Sequence, residues 1–88
     1  MRTLFAFLLS IAAFHANAFD TFAFPRGVVS KGDSTAALMQ RAGQPSRIVT
    51  LENSRGAVVG ERWEYYLRDK QVNFTISGGR VTRVEELR

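Results

Sequence analysis

Four polar groupings hold the chemistry that this chain has to offer. Asp33, Ser34 and Thr35 are consecutive, Glu61 and Glu64 are three apart, Glu85 and Glu86 are adjacent, and Tyr66 stands between Arg62 and Arg68. A carboxylate beside two hydroxyls suits a metal or an activated nucleophile. It equally suits a helix start, where a side-chain oxygen accepts a backbone N–H of the first turn. Capping accounts fully for residues 33–35, because good helix formers follow at once. Paired carboxylates do acid–base work only when they face one another across a substrate. On strands, Glu61 and Glu64 point to opposite faces, and so do Glu85 and Glu86. The chain has no cysteine, and its one histidine is His15. Thiolate nucleophiles, Ser-His pairs and zinc fingers therefore have no residues to use. No phosphate-cradling glycine pattern occurs either. No enzyme, no metal and no cofactor is expected. What remains is surface: Tyr66, Arg62 and Arg68 form a candidate binding site of residue types enriched at interface hot spots.

The elements that must position these residues follow from pattern. Asp33 or Ser34 caps a helix over residues 35–42, whose stripe of Thr35, Leu38 and Ala42 faces a core. Gly43 is suited to the left-handed residue after the helix, and Pro45 blocks continuation. Strands are expected over residues 46–52, 61–68, 71–77 and 80–87. Residues 61–68 alternate, with Trp63, Tyr65 and Leu67 on one face and Arg62, Glu64, Tyr66 and Arg68 on the other. Gly78 and Gly79 signal a type I′ hairpin turn. Val81 and Val84 share a face only if a bulge intervenes. The aromatic residues 19–26 read as an extended segment that packs down or pairs at a sheet edge. The expected architecture is α+β: one short N-terminal helix packed on a three- to four-stranded antiparallel meander. Its expected core is Leu38, Ala42, Ile48, Trp63, Tyr65, Leu67, Val72, Phe74, Ile76 and Val84.

The first 18 residues read differently. Arg2 precedes an apolar run over residues 4–14, and Ala16-Asn17-Ala18 follows. That is the charged start, apolar core and small-residue cleavage pattern of a secretory signal peptide, with cleavage between Ala18 and Phe19. The run is too short to span a bilayer. Residues 19–88 are then one small domain, periplasmic or secreted, without a stable membrane anchor. Beyond Arg2, eleven basic residues face eight acidic ones and are spread along the chain. A solvated surface explains that spread. Nucleic acid is not expected as a partner. A domain of this size buries only about 60% of its unfolded surface, and here no disulfide adds to its stability. Self-association or an envelope partner would.

The stretches "VVSKGDSTAALMQRAGQP", "RWEYYL" and "VNFTISGGRVTRVE" resemble a bacterial exported domain-of-unknown-function family. Its members read as Val-Ser-x-Gly-Asp-Ser, a helix ending in Cys-Gly-x-Pro, a Trp-x-Tyr strand and a final Gly-Arg hairpin. More distantly, the order of elements is similar to the SmpA/OmlA/BamE-like group of outer-membrane assembly lipoproteins. The resemblance implies structural roles for Gly32, Asp33, Ser34, Gly43, Pro45, Trp63, Tyr65, Gly79 and Arg80. It also implies that Phe24 and Ala42 stand where members carry two cysteines, the positions of a lost disulfide. The lipid-bearing cysteine of the BamE-like group is missing. The function it implies is a non-catalytic protein-binding or envelope-assembly accessory module. The alternative is a polyanion binder acting through spaced arginines on lipopolysaccharide, anionic lipid or nucleic acid.

Overall fold

The computed structural model describes residues 16–88, with side chains described from Phe19 onward. The apolar run over residues 4–14 and His15 lie outside the described residues. The elements are β1 (Ala16–Phe19), β2 (Thr21–Phe24), β3 (Gly27–Ser30), α1 (Thr35–Ala42), β4 (Arg47–Glu52), β5 (Val58–Tyr66), β6 (Gln71–Ser77) and β7 (Arg80–Leu87). Five strands form one antiparallel sheet in the order β1-β7-β6-β5-β4, and β2 and β3 form a separate two-stranded ribbon.

The expected helix-on-meander layout is therefore corrected: among the described residues the fold is mostly β, with two sheets and a single short helix. The reason lies in residues 21–30. Thr21 to Phe24 and Gly27 to Ser30 pair as a hairpin closed by Pro25 and Arg26. Phe22, Phe24 and Val29 from this ribbon join the core cluster. Phe24 packs on Tyr65 and Phe74 of the large sheet, with ring centroids 5.6 and 5.9 Å away. Tyr65 meets Phe74 edge-on, a favoured aromatic arrangement. The helix contributes fully buried Leu38 to the same core, but it packs chiefly against β3. Aromatic side chains on a short ribbon thus supply much of the cover expected from the helix.

The inward face of the sheet reads off the registers. Ile48, Trp63, Phe74 and Val84 form one cross-strand row, and Tyr65 and Val72 are paired in the next. A register shift after Thr75 brings Val81 opposite Ile76. Val81 and Val84 are both buried as a result, as the bulge expectation required. Gly78 and Gly79 make the connecting turn with φ of 61° and 76°, which β-branched or bulky residues there would resist. Ser34 is the N-cap, accepting from Ala37 N at 3.2 Å, and Gly43 ends the helix at φ 81°.

Two core expectations are corrected. Ile48 is 49% exposed and Leu67 37% exposed. Ile48 lies on β4, the outermost strand, beyond the reach of ribbon and helix. Strand β5 stops at Tyr66, and Leu67 turns away with its N–H donated to the Lys70 carbonyl at 2.8 Å. Val29 and Val81, both buried, complete the core.

Candidate functional site

The outward sheet face carries the polar residues singled out from sequence. Arg62, Glu64 and Tyr66 alternate along β5 and share that face. Glu64 is the centre of the group. The Tyr66 hydroxyl donates to Glu64 Oε1 at 2.7 Å, and Arg62 Nε donates to Oε2 at 2.8 Å. Arg47 lies directly across on β4 and Asn73 directly across on β6. Glu64 is only 4% exposed and Asn73 6%, unusual for polar residues on an outer face. Burial pushes the Glu64 carboxyl up. The hydrogen bonds from Tyr66 and Arg62, with the charges of Arg62 and Arg47, outweigh that and hold it below the ordinary carboxylate range. Such a carboxylate is charged and doubly held at neutral pH, so it does not act as a general acid. The structure brings Tyr66 and Arg62 together through Glu64 but leaves out Arg68, which lies in the turn past the end of β5.

The other expected residues have structural work. Asp33 does not cap the helix. Its Oδ2 accepts from Ser30 N at 2.8 Å and from Arg41 Nη1 at 3.0 Å, tying β3 to the last helical turn. Phe24 and Ala42, the expected lost cysteine positions, both border the core cluster. Glu61 lies on the inward face, where it accepts from Trp63 Nε1 at 2.9 Å. Glu85 and Glu86 diverge as expected: Glu85 lies opposite Asn73 and Glu86 opposite Val72. Glu86 is only 8% exposed and pairs with Arg88 at 2.7 Å and Lys70 at 3.4 Å. Among the described residues, no three side chains of metal-binding type are grouped.

Sequence reading missed an apolar groove on the inward face. Helix α1 and the ribbon cover β6, β7 and the Trp63–Tyr65 part of β5, and leave β4 and the start of β5 open. Met39 on the helix, Val58 and Trp63 on β5, Ile76 on β6 and the Gly78-Gly79 turn line a groove of about 630 Å³. Around it, Val58 is 65% exposed and Val59 50%. The β4–β5 hairpin projects here: β6 pairs with β5 only from Glu61 onward, while β4 follows β5 to Val58. Gly60 marks the parting. A methyl group there would overlap the carbonyl oxygen of Ile76, so only glycine lets the two backbones approach. The hairpin tip is well held, with Asn53 Oδ1 accepting from Arg55 N and Ala57 N. The available signal is "AVVG", two adjacent valines before a glycine in the stretch between the expected strands over residues 46–52 and 61–68.

A second cleft, more polar, lies between Asp20 and Thr21 at the start of the ribbon and the β6–β7 turn. Lys31 and Arg80 line it with Ser30, Ser77 and Thr82. Among the described residues, no helix is long and apolar enough to cross a membrane. No known protein family, curated protein or solved structure matches the chain.

Proposed function

We propose that this chain is a non-catalytic protein-binding module of the cell envelope. The observation that carries the reading is the uncovered apolar strip on the inward face, with Val58, Ile48 and Met39 exposed beside Trp63. Adjoining it, β4 pairs on one side only among the described residues. An open strand edge next to an apolar groove suits strand addition: backbone hydrogen bonds give affinity and the groove gives side-chain selectivity. Export of the chain rests on the signal-like pattern at residues 1–18. Capture from an envelope extract tests the module. A bound protein should be retained by Tyr66→Ala and lost with Val58→Asp. Capture indifferent to Val58 sinks this site, and loss with Tyr66→Ala moves it to the outward face.

A second reading, binding of an anionic group, rests on Lys31 and Arg80 in the polar cleft, neither of which has a carboxylate within ion-pair distance among the described residues. Asp20 in the same cleft opposes it. Binding there should weaken steeply with salt, whereas capture at the apolar strip should not.

A further inference from the structure

We infer that the polar cleft between the base of the ribbon and the β6–β7 turn binds a sugar that carries one anionic group, a phosphate or a carboxylate. This rests on the second reading of that cleft, as an anion site, and names its ligand class. The cleft exists because the cover of the β7 edge has a gap. Strand β1 pairs with β7 as far as Phe19 opposite Val84, and Gly32 N donates to Val81 O. Thr82 and Arg83 lie between. The chain leaves the edge at Asp20, runs out and back as the ribbon, and returns at Lys31, whose backbone N–H donates to the Asp20 carbonyl at 2.7 Å. The space beside this base is about 700 Å³, within the range of small-molecule sites.

Its lining offers hydrogen-bond donors and acceptors as two separate sets. The side chains of Lys31 and Arg80 only donate. Arg80 Nη1 donates to the Gly32 carbonyl at 3.0 Å, which anchors the guanidinium and leaves its other N–H groups available among the described residues. The Asp20 carboxylate only accepts. Ser77 Oγ and Thr82 Oγ1 are left as acceptors too, because each already donates its one proton, to Val59 O at 3.1 Å and to Thr75 O at 3.2 Å. A bare inorganic anion meets the two cations but brings few protons for these acceptors, and Asp20 repels it. A neutral sugar brings the protons and leaves the cations unmatched. A zwitterionic amino acid supplies a single donor group and no net charge, whereas Lys31 and Arg80 outnumber Asp20 by one charge. A sugar with one anionic group answers both sets. Its charge goes to Lys31 and Arg80, and its hydroxyl protons go to Asp20, Ser77 and Thr82.

The full-length gene is expressed, the protein is purified as the cell leaves it, and ligands are titrated by calorimetry. Glucose 6-phosphate should bind about tenfold more tightly than inorganic phosphate, and glucuronate about tenfold more tightly than acetate, through the added hydrogen bonds to a charged acceptor. Glucose should bind more weakly than either anionic sugar. Lys31→Ala should weaken both anionic sugars about tenfold. Lys31 is exposed, so this variant keeps the fold, which an unchanged circular-dichroism spectrum checks. Asp20→Asn should narrow the gap between glucose 6-phosphate and phosphate, because it removes an acceptor for the sugar and a repulsion for the phosphate together. Arg68→Ala, the same loss of charge at the other end of β6, should leave binding unchanged. Tight binding of either anionic sugar with this pattern supports the inference. Equal affinity for glucose 6-phosphate and phosphate overturns the sugar and leaves the anion site standing. Binding of none of these compounds overturns both. Glycine binding more tightly than either anionic sugar makes the ligand a zwitterion and overturns the inference. A loss with Arg68→Ala equal to that with Lys31→Ala makes the effect one of net charge and overturns the site.

Discussion

At the β7 edge of the large sheet, the backbone is covered along two stretches. β1 pairs with Val84 to Leu87. Residues 32–35 cover the start of the strand, where Gly32 N donates to Val81 O, Val81 N to Asp33 O and Thr35 N to Gly79 O. Arg83, Glu85 and Glu86 add charge to that strand. At the β4 edge nothing among the described residues pairs, and the strand is uncharged between Arg47 and Glu52. The inward faces differ in the same way. Beside β7, Val72, Phe74, Val81 and Val84 are at most 1% exposed, whereas at β4 Ile48 is 49% exposed. One side of the sheet has been closed by the chain itself, and the other is left for something else to close. The difference teaches where stability resides and where interaction is available.

The largest expected effect is on the closed side. Phe74→Ala should cost about 3–5 kcal/mol by emptying the centre of the core, measured by urea denaturation. Gly60→Ala, at the border between the two sides, should cost about 1–3 kcal/mol, because the added methyl forces β5 and β6 apart. A neutral result would mean that the hairpin arm yields freely. Glu64→Gln should cost about 1–2 kcal/mol at neutral pH by weakening charge-assisted hydrogen bonds. Its pH dependence sharpens the point. The folded pKa of Glu64 lies below the ordinary value of 4.5, so its stabilisation is present above that value and is lost as pH falls through the folded one. The variant should flatten this acid limb. Tyr65→Phe should cost about 1 kcal/mol through the lost hydrogen bond to the Gly43 carbonyl. Burial pushes the Tyr65 phenol from 10.0 up to about 12. Its contribution is complete below pH 10 and lost as pH rises toward 12, a slope that the phenylalanine variant should lack. The smallest effect belongs to the open side. Ile48→Ala should change monomer stability by only about 0.5 kcal/mol. A loss rivalling that of Phe74 would erase the contrast.

Local chemistry made part of this fold legible. Ser34 and Gly43 at the helix ends, the Gly78-Gly79 turn, β6 and the bulge between Val81 and Val84 all follow from backbone preference and period. The ribbon was not legible as a pair. Pro25-Arg26 lacks the positive-φ signature of a two-residue hairpin, and strands of four residues give alternation too little length to register. Its role as cover is a tertiary fact, carried by where Phe22 and Phe24 land. The exposure of Ile48 has the same origin: the pattern marks an apolar face, and only topology says how far the cover extends. Of the expected site, Arg62 and Tyr66 were placed on the correct face. Their common partner Glu64 was visible at the right parity, but its burial was not. Arg68 fell away because the strand ends two residues earlier than its alternation suggests.

Strand β1 has a consequence that concerns time rather than geometry. The Ala18–Phe19 bond, where a signal peptidase would cut, lies inside a segment laddered to β7. Proteases take their substrates as extended, unpaired chain. Cutting there and pairing there are rival uses of the same four residues, and whichever is faster excludes the other. A chain cut first begins at Phe19 and folds with the C-terminal half of β7 uncovered. A chain that pairs first would hide the bond and keep residues 1–18. If a peptidase does act there, its race with the folding sheet selects whether β1 or the C-terminal half of β7 forms the sheet's outer edge opposite β4.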